Sequence, residues 1–397
     1  MHETVIVNAV RTPIGRLGGA LKTVLVDQLA EKVINETLKR SGISAELVDE
    51  VILGQAKQNA DSSNLARLAL LRAGLPEKVS AYTIHRQCGS GLQAINNADM
   101  QIKLGLSNVI IAGGAESMST TPYYIRDARF GYRSGNGLLL DPNIESQPNS
   151  QPIKEYGKLT MGETAENLAS LYEIGRQEQD EFALRSQELA AKAIQNGLFD
   201  DEIVPYEVKK KNNNLIFSQD EHPRETTLEK LLSLNPVFKD RGTVTAGNSS
   251  GRNDASSALL LMNYNVARER GIIPKAKIVA HASVGVSPKI MGIGPVQSTQ
   301  KALKQSGLTL DKIDVIELNE AFSAQSLAVI KELNLDLDRV NVNGGAIALG
   351  HPIGATGAIL TTKLLHEMER RGAKYGLVTL CIAGGQGITT IFENLRL

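Results

Sequence analysis

The chain has 397 residues, 42% hydrophobic and 22% charged, which is too long for one ordinary domain and too apolar for a disordered one. Lys plus Arg and Asp plus Glu each number 43, so the formal charge is zero and neither a nucleic-acid partner nor a membrane-binding surface is expected. Two Cys exclude a disulfide framework and a four-Cys zinc site, and reactivity becomes the question for both.

The chain opens MHETVIVNAVRTPIG, with charge at once and no layout of a secretory leader, so a cytoplasmic protein is expected. Residues 38–54 (LKRSGISAELVDEVILG) and 303–319 (LKQSGLTLDKIDVIELN) agree at Leu38/Leu303, Lys39/Lys304, Ser41/Ser306, Gly42/Gly307, Asp49/Asp314 and Leu53/Leu318, a constant spacing of 265. Each copy predicts a helix stopped by Gly42 or Gly307, then a buried strand. Ile111-Ala112-Gly113-Gly114 recurs as Ile382-Ala383-Gly384-Gly385. Continuous Val/Ile/Leu runs alternating with helices predict an α/β protein of two similar halves, its strands mostly parallel and covered on both faces.

Between the halves, residues 141–152 (DPNIESQPNSQP) read as loop, and 162–196 as two amphipathic helices. Residues 243–254 turn small and turn-prone, and the apolar run 258–262 is expected to rejoin the first half's sheet. The expected boundaries are 1–119 with 243–270 for the first half, 120–242 for an inserted loop subdomain, and 271–397 for the second half. Residues 340–362 lack charge and could span a bilayer, but Asn341, Asn343, His351, Pro352 and five Gly argue against a membrane helix.

Cys88, in TIHRQCGSGLQAI, falls at or just before a helix start, where free amides and the helix dipole favour thiolate. It reads as a nucleophile or as a small core residue. Cys381 closes an apolar run before a Gly-rich turn, where an α/β site or simple packing would both fit. His351, in GGAIALGHPIGATGA, occupies the second-half counterpart of the Cys88 turn and reads as a general base or a structural group. Asn319 closes a repeated strand. The other His lack ligand spacing, so no metal is expected, and the Gly350, Gly354 and Gly357 pattern is a poor dinucleotide turn.

These segments resemble the thiolase family, acyl-CoA C-acyltransferases that cleave or form 3-ketoacyl-CoA. The resemblance runs from RTPIG at Arg11 through CGSGLQAI, GGAESM at Gly113, MGETAEN at Met161, TVTAGNSSG at Thr243 and NEAF at Asn319 to CIAGGQG at Cys381. It implies the layered αβαβα thiolase fold, with Cys88 as nucleophile, His351 as its base and Cys381 as the second acid and base. One oxyanion site would use His351 and a water on Asn319, the other the backbone amides of Cys88 and Ala383. Met161, Phe238, Ala321 and Phe322 match residues of the pantetheine and acyl tunnel, and Arg224, Ser250 and Gly251 match positions near CoA. CoA and acyl-CoA would be substrates, with no cofactor, in fatty acid metabolism such as beta-oxidation, and the protein a homodimer or homotetramer.

Three departures stand out. Ala383 replaces a usual Gly and would strain the oxyanion turn if that turn needs positive φ. His85 stands where many members have Asn, and Thr160 where short-chain members commonly have His. Ala383 and His85 motivate one alternative, a catalytically impaired acyl-CoA-binding homologue. A decarboxylating ketoacyl synthase of the same superfamily is disfavoured by Cys381.

Overall fold

The computed structural model describes residues 2–210 and 213–397. Its principal strands are β1 (Thr4–Arg11), β2 (Glu50–Gly54), β3 (Ser80–Ile84), β4 (Val109–Ser117), β5 (Asn253–Asn263), β6 (Ala276–Gly285), β7 (Val315–Leu318), β8 (Tyr375–Ile382) and β9 (Gln386–Asn394). They run side by side in the order β7-β8-β9-β6-β1-β5-β4-β2-β3. The sheet has a narrow middle, where β1 meets β6 only at Val5↔Lys277 and Ile6↔Ala276.

On either side of that seam the two halves repeat one another. Helix α1 (Val26–Ser41) ends at Gly42 and α6 (Gly294–Ser306) at Gly307, both glycines left-handed, and each leads into the matching strand, β2 or β7. The expectation of mostly parallel strands is wrong: β2/β3, β2/β4 and β7/β8 are parallel, whereas β1/β5, β1/β6, β4/β5, β6/β9 and β8/β9 are antiparallel. Burial on both faces writes a continuous apolar run whatever the strand direction, so such runs carry no directional signal.

Side-chain alternation assigns the layers. Val51, Leu53, Val109 and Ile111 pack outward with α1 and α2 (Leu65–Arg72). Ile52, Ile110 and Ala112 pack inward on α3 (Ser90–Lys103) and α8 (Thr356–Arg371). In the second half Val378 and Leu380 join that same central core, while Leu377, Ile316 and Leu318 face α6 and α7 (Ser323–Leu333). The result is five layers, helices–sheet–helices–sheet–helices, with α3 and α8 in the middle.

Among its described residues, segment 120–242 adds no strand to the main sheet; it carries two small hairpin sheets, α4 (Met161–Leu171) and the long α5 (Arg176–Gln195). The run 258–262 lies within β5, between β4 and β1. No helix among the described residues is long and apolar enough to cross a membrane, and residues 340–362 fold as turns, a short helix and the start of α8.

Candidate active site

The central helices carry the site because they begin at it. Gly91 in the first turn of α3 and Gly357 in the first turn of α8 sit against each other's chains. A Cβ on Gly357 would lie 2.4 Å from the Leu92 nitrogen, and one on Gly91 2.9 Å from the Ala358 nitrogen. The two helix starts are therefore packed backbone to backbone, and the turns that precede them, with Cys88 and His351, open on one cleft.

The Cys88 turn is tied by Gly89 N–H to Arg86 O at 3.0 Å, Ser90 N–H to Gln87 O at 3.0 Å, and Arg86 N–H to Ser90 Oγ at 2.8 Å. Gln87 holds φ 45°, a conformation rare outside Gly, so the turn is strained in order to present the thiol. Cys88 is half-buried, and its sulfur receives backbone N–H groups from Ala383 and from its own residue. The expectation of a favoured thiolate does not hold for the resting site. Desolvation raises the thiol to about 11, against the opposing pull of the Ala383 amide and the Lys57 charge.

His351 is fixed by its neighbours. Its amide donates to Asn253 Oδ1 at 2.9 Å, and its Nδ1 lies 2.6 Å from Thr356 Oγ1. The Thr356 hydroxyl donates its only proton to Pro352 O at 2.9 Å, so Nδ1 must be the protonated nitrogen. Nε2 then keeps a free lone pair, and it is buried without a partner. Desolvation lowers the imidazole to about 4. Cys381, on β8, turns away from the central core towards Met161, Phe238, Met291, Ala321 and Phe322. Burial and the neighbouring Cys88 charge push its thiol far above the ordinary range.

Glu116, at the end of β4, holds the two halves together at the cleft. It accepts N–H groups from Ala56 and Lys57, each at 3.0 Å, and from Gly354 at 2.8 Å, the first two in one half and the last in the other. Glu320 does comparable work behind β7, accepting from Ser186 at 2.6 Å, Asn341 at 2.8 Å and Ile347 at 3.3 Å, so the Glu of NEAF is structural.

The cleft wall contains Cys88, His351, Cys381, Ala383, Met161, Phe238, Ser250, Gly251, Ala321 and Phe322. The Phe238 and Phe322 rings meet edge to face at 6.0 Å. Asn319 stands behind the wall, fully buried, its amide donating to Thr379 O at 3.0 Å and both side-chain polar atoms unpartnered. An orphaned amide and an orphaned imidazole nitrogen in one region are what a bound water would satisfy. Arg224 is not part of the wall; it is exposed, with Nη2 on Ala246 O at 3.4 Å.

The departures resolve physically. Ala383 is not among the residues with positive φ, and the left-handed positions of the turn are Gly384 and Gly385, so its methyl introduces no strain. His85 is exposed and outside the cleft wall. Thr160 caps α4 in a reciprocal box with Glu163. Sequence reasoning missed Lys57, Gln87, Asn143, Ser146 and Arg252 in the wall. For Lys57 the repeat itself held the signal: at the spacing of 265 it is the counterpart of Phe322.

Known proteins resemble this chain over nearly its whole length. The thiolase N-terminal domain matches residues 4–265 and the thiolase C-terminal domain residues 272–394. An acetyl-CoA acetyltransferase of Syntrophomonas wolfei is 48% identical, with 99% of this chain and 100% of that protein covered. The crystal structure of the Bacillus anthracis acetyl-CoA acetyltransferase superposes with a TM-score of 0.97 at 51% identity, covering 100% of this chain and 99% of that one. That of human mitochondrial 3-ketoacyl-CoA thiolase in complex with CoA gives 0.94 at 43%, covering 99% and 98%.

Proposed function

The chain belongs to the thiolase family, and from that premise we propose that it cleaves 3-ketoacyl-CoA with CoA to acetyl-CoA and a shortened acyl-CoA, or runs the reverse Claisen condensation, through an acyl-enzyme on Cys88. The observation that carries the mechanism is the meeting of Cys88, Cys381 and an unoccupied His351 Nε2 lone pair on one cleft.

Thiol and imidazole both resist charge in the resting site, so proton and nucleophile move together. Cys88 passes its proton to His351 Nε2 as its sulfur bonds to the 3-keto carbon. The negative charge on that oxygen is met by preorganised donors, for which the orphaned Asn319 amide with a water, His351, and the Cys88 and Ala383 N–H groups are the candidates. The bond between carbons 2 and 3 breaks, its electron pair passes to carbon 2 of the acetyl-CoA enolate, and Cys381 donates a proton there. Cys381 then takes the thiol proton of incoming CoA, whose sulfur displaces Cys88 from the thioester, and Cys88 recovers its proton from His351.

Met161, Phe238, Ala321 and Phe322 supply an apolar channel for the pantetheine arm, with Ser250 and Gly251 beside it. Arg224 and Arg252 are the cations proposed to meet CoA phosphates nearer solvent. Self-association is proposed from the exposed apolar residues Tyr123, Ile125, Phe130, Leu138 and Leu139. With Ala383 unstrained, the impaired reading loses its motive.

Incubation with 3-ketoacyl-CoA should leave an acyl group on Cys88, detectable by intact mass. Cys88→Ala should lose kcat by at least about a thousandfold with no adduct; retained turnover would sink the assignment.

A further inference from the structure

Among the described residues three Lys or Arg side chains are buried, and two have carboxylate partners. Arg11 is 0% exposed and meets Glu202 at 2.7 Å and Asp220 at 2.8 Å; Lys363 is 3% exposed and meets Glu317 at 2.9 Å. Lys57 is the exception. It is 5% exposed and its ammonium donates only to Pro142 O, at 3.3 Å, and to Ser146 Oγ, both neutral. No carboxylate among the described residues lies within ion-pair distance, and one of its three N–H donors has no protein acceptor. Glu116 and Asp141 act on its charge from beyond ion-pair distance, but both Glu116 oxygens face the backbone amides of Ala56, Lys57 and Gly354, and Asp141 Oδ1 accepts from the Asn143 amide at 2.8 Å.

An unpaired buried ammonium is costly unless something else neutralises it. Lys57 lies in the wall of the substrate cleft, near enough for its charge to act on the Cys88 sulfur. Its surroundings are polar too. Gln87, Asn143, Ser146, Gln147 and Ser150 line the same cleft, and Asn143 Oδ1 is buried without a partner. The apolar lining, from Met161 to Phe322, gathers instead around Cys381. One arm of the cleft is therefore oily, and the other, whose wall also holds Arg252, is a polar recess around the buried and unpaired Lys57. A saturated acyl tail would leave that cation and its spare donor desolvated and unmatched.

We propose that this recess receives an acyl chain ending in a carboxylate, so that the preferred substrates are short 3-oxo-dicarboxylic acyl-CoA esters, with Lys57 as the residue that selects them. The inference rests on the thiolase reading and names its substrate class. In the acyl-enzyme the thioester carbon is bonded to Cys88 and the distal carboxylate accepts from the free Lys57 N–H. This completes the ion pair that the protein itself omits.

The test compares 3-oxoadipyl-CoA with 3-oxohexanoyl-CoA, acyl chains of equal length that end in carboxylate and methyl. The wild-type enzyme should favour the carboxylate in kcat/KM by roughly 10- to 100-fold, the worth of one hydrogen-bonded charge. Lys57→Met should erase or invert that ratio and Lys57→Arg keep most of it. If both substrates are cleaved with equal efficiency by the wild-type protein, the inference is overturned while thiolase activity stands. A parallel loss on both substrates in Lys57→Met, with the ratio unmoved, would make Lys57 a group that tunes Cys88 and would equally overturn it. Absence of cleavage on either substrate and on acetoacetyl-CoA would instead overturn the thiolase reading. The wild-type ratio decides even if Lys57→Met fails to fold.

Discussion

Burial separates the two principal groups of the site: the Cys88 thiol stands at about 11 and the His351 imidazole at about 4. The base works in its neutral form, so a lowered value extends activity towards acid. We expect kcat/KM to stay level from about pH 8 down to about pH 5 and to fall only as His351 protonates near 4, whereas an ordinary imidazole would have lost half its activity near pH 6.5. A half-loss at that higher value in a pH profile would contradict the burial argument. Thr356 acts through His351 as a positioning residue, because its hydroxyl fixes which ring nitrogen carries the proton. Thr356→Val should lower kcat roughly 10- to 100-fold with little change in KM, and Thr356→Ser should restore it. The candidate trio was readable from sequence because Cys88, His351 and Cys381 each sit beside Gly-rich turns at the edge of an apolar run. Lys57 on its own looks like any solvated lysine just after a strand; the repeat marks its position, but only the fold reveals that the loop at 141–146 covers it.

Among elements, the contact between α3 and α8 fixes the distance between nucleophile and base. Gly357→Ala would push a methyl into the Leu92 backbone, where neither helix can yield without moving its own turn. A loss of about 1–3 kcal/mol in denaturant unfolding is expected, with a larger fall in kcat than that stability change would suggest. Unchanged kcat would mean that the helix starts do not set the site. The repeat made α1, α6, β2 and β7 legible, because helix, Gly stop and buried run recur at one spacing. Strand direction stayed hidden: β5 and β9 are as buried as β2 and β8, and direction depends on connections such as the Gly384–Gly385 turn that reverses β8 into β9. The duplication, read further along the chain, would also have paired Lys57 with Phe322 and drawn attention to it.

In the whole molecule, one buried guanidinium is a principal anchor of the inserted segment. Arg11, at the end of β1, donates to Glu202 at 2.7 Å and to both oxygens of Asp220 at 2.8 and 2.9 Å, over the face of Phe199 at 5.2 Å. Arg11→Met should cost about 3–5 kcal/mol, because two buried carboxylates lose their partner. Adding Glu202→Gln and Asp220→Asn should recover part of it, which thermal or denaturant unfolding would measure. The seam that Glu116 closes has a different meaning at this scale. Its carboxylate is satisfied only when the Ala56–Lys57 loop of one half and the Gly354 turn of the other are both in place. A symmetric pair of identical halves would carry the same turn twice, two thiols or two imidazoles facing each other. Joining the copies in one chain let the two turns diverge, so a nucleophile and its base could be made from what began as the same piece of backbone.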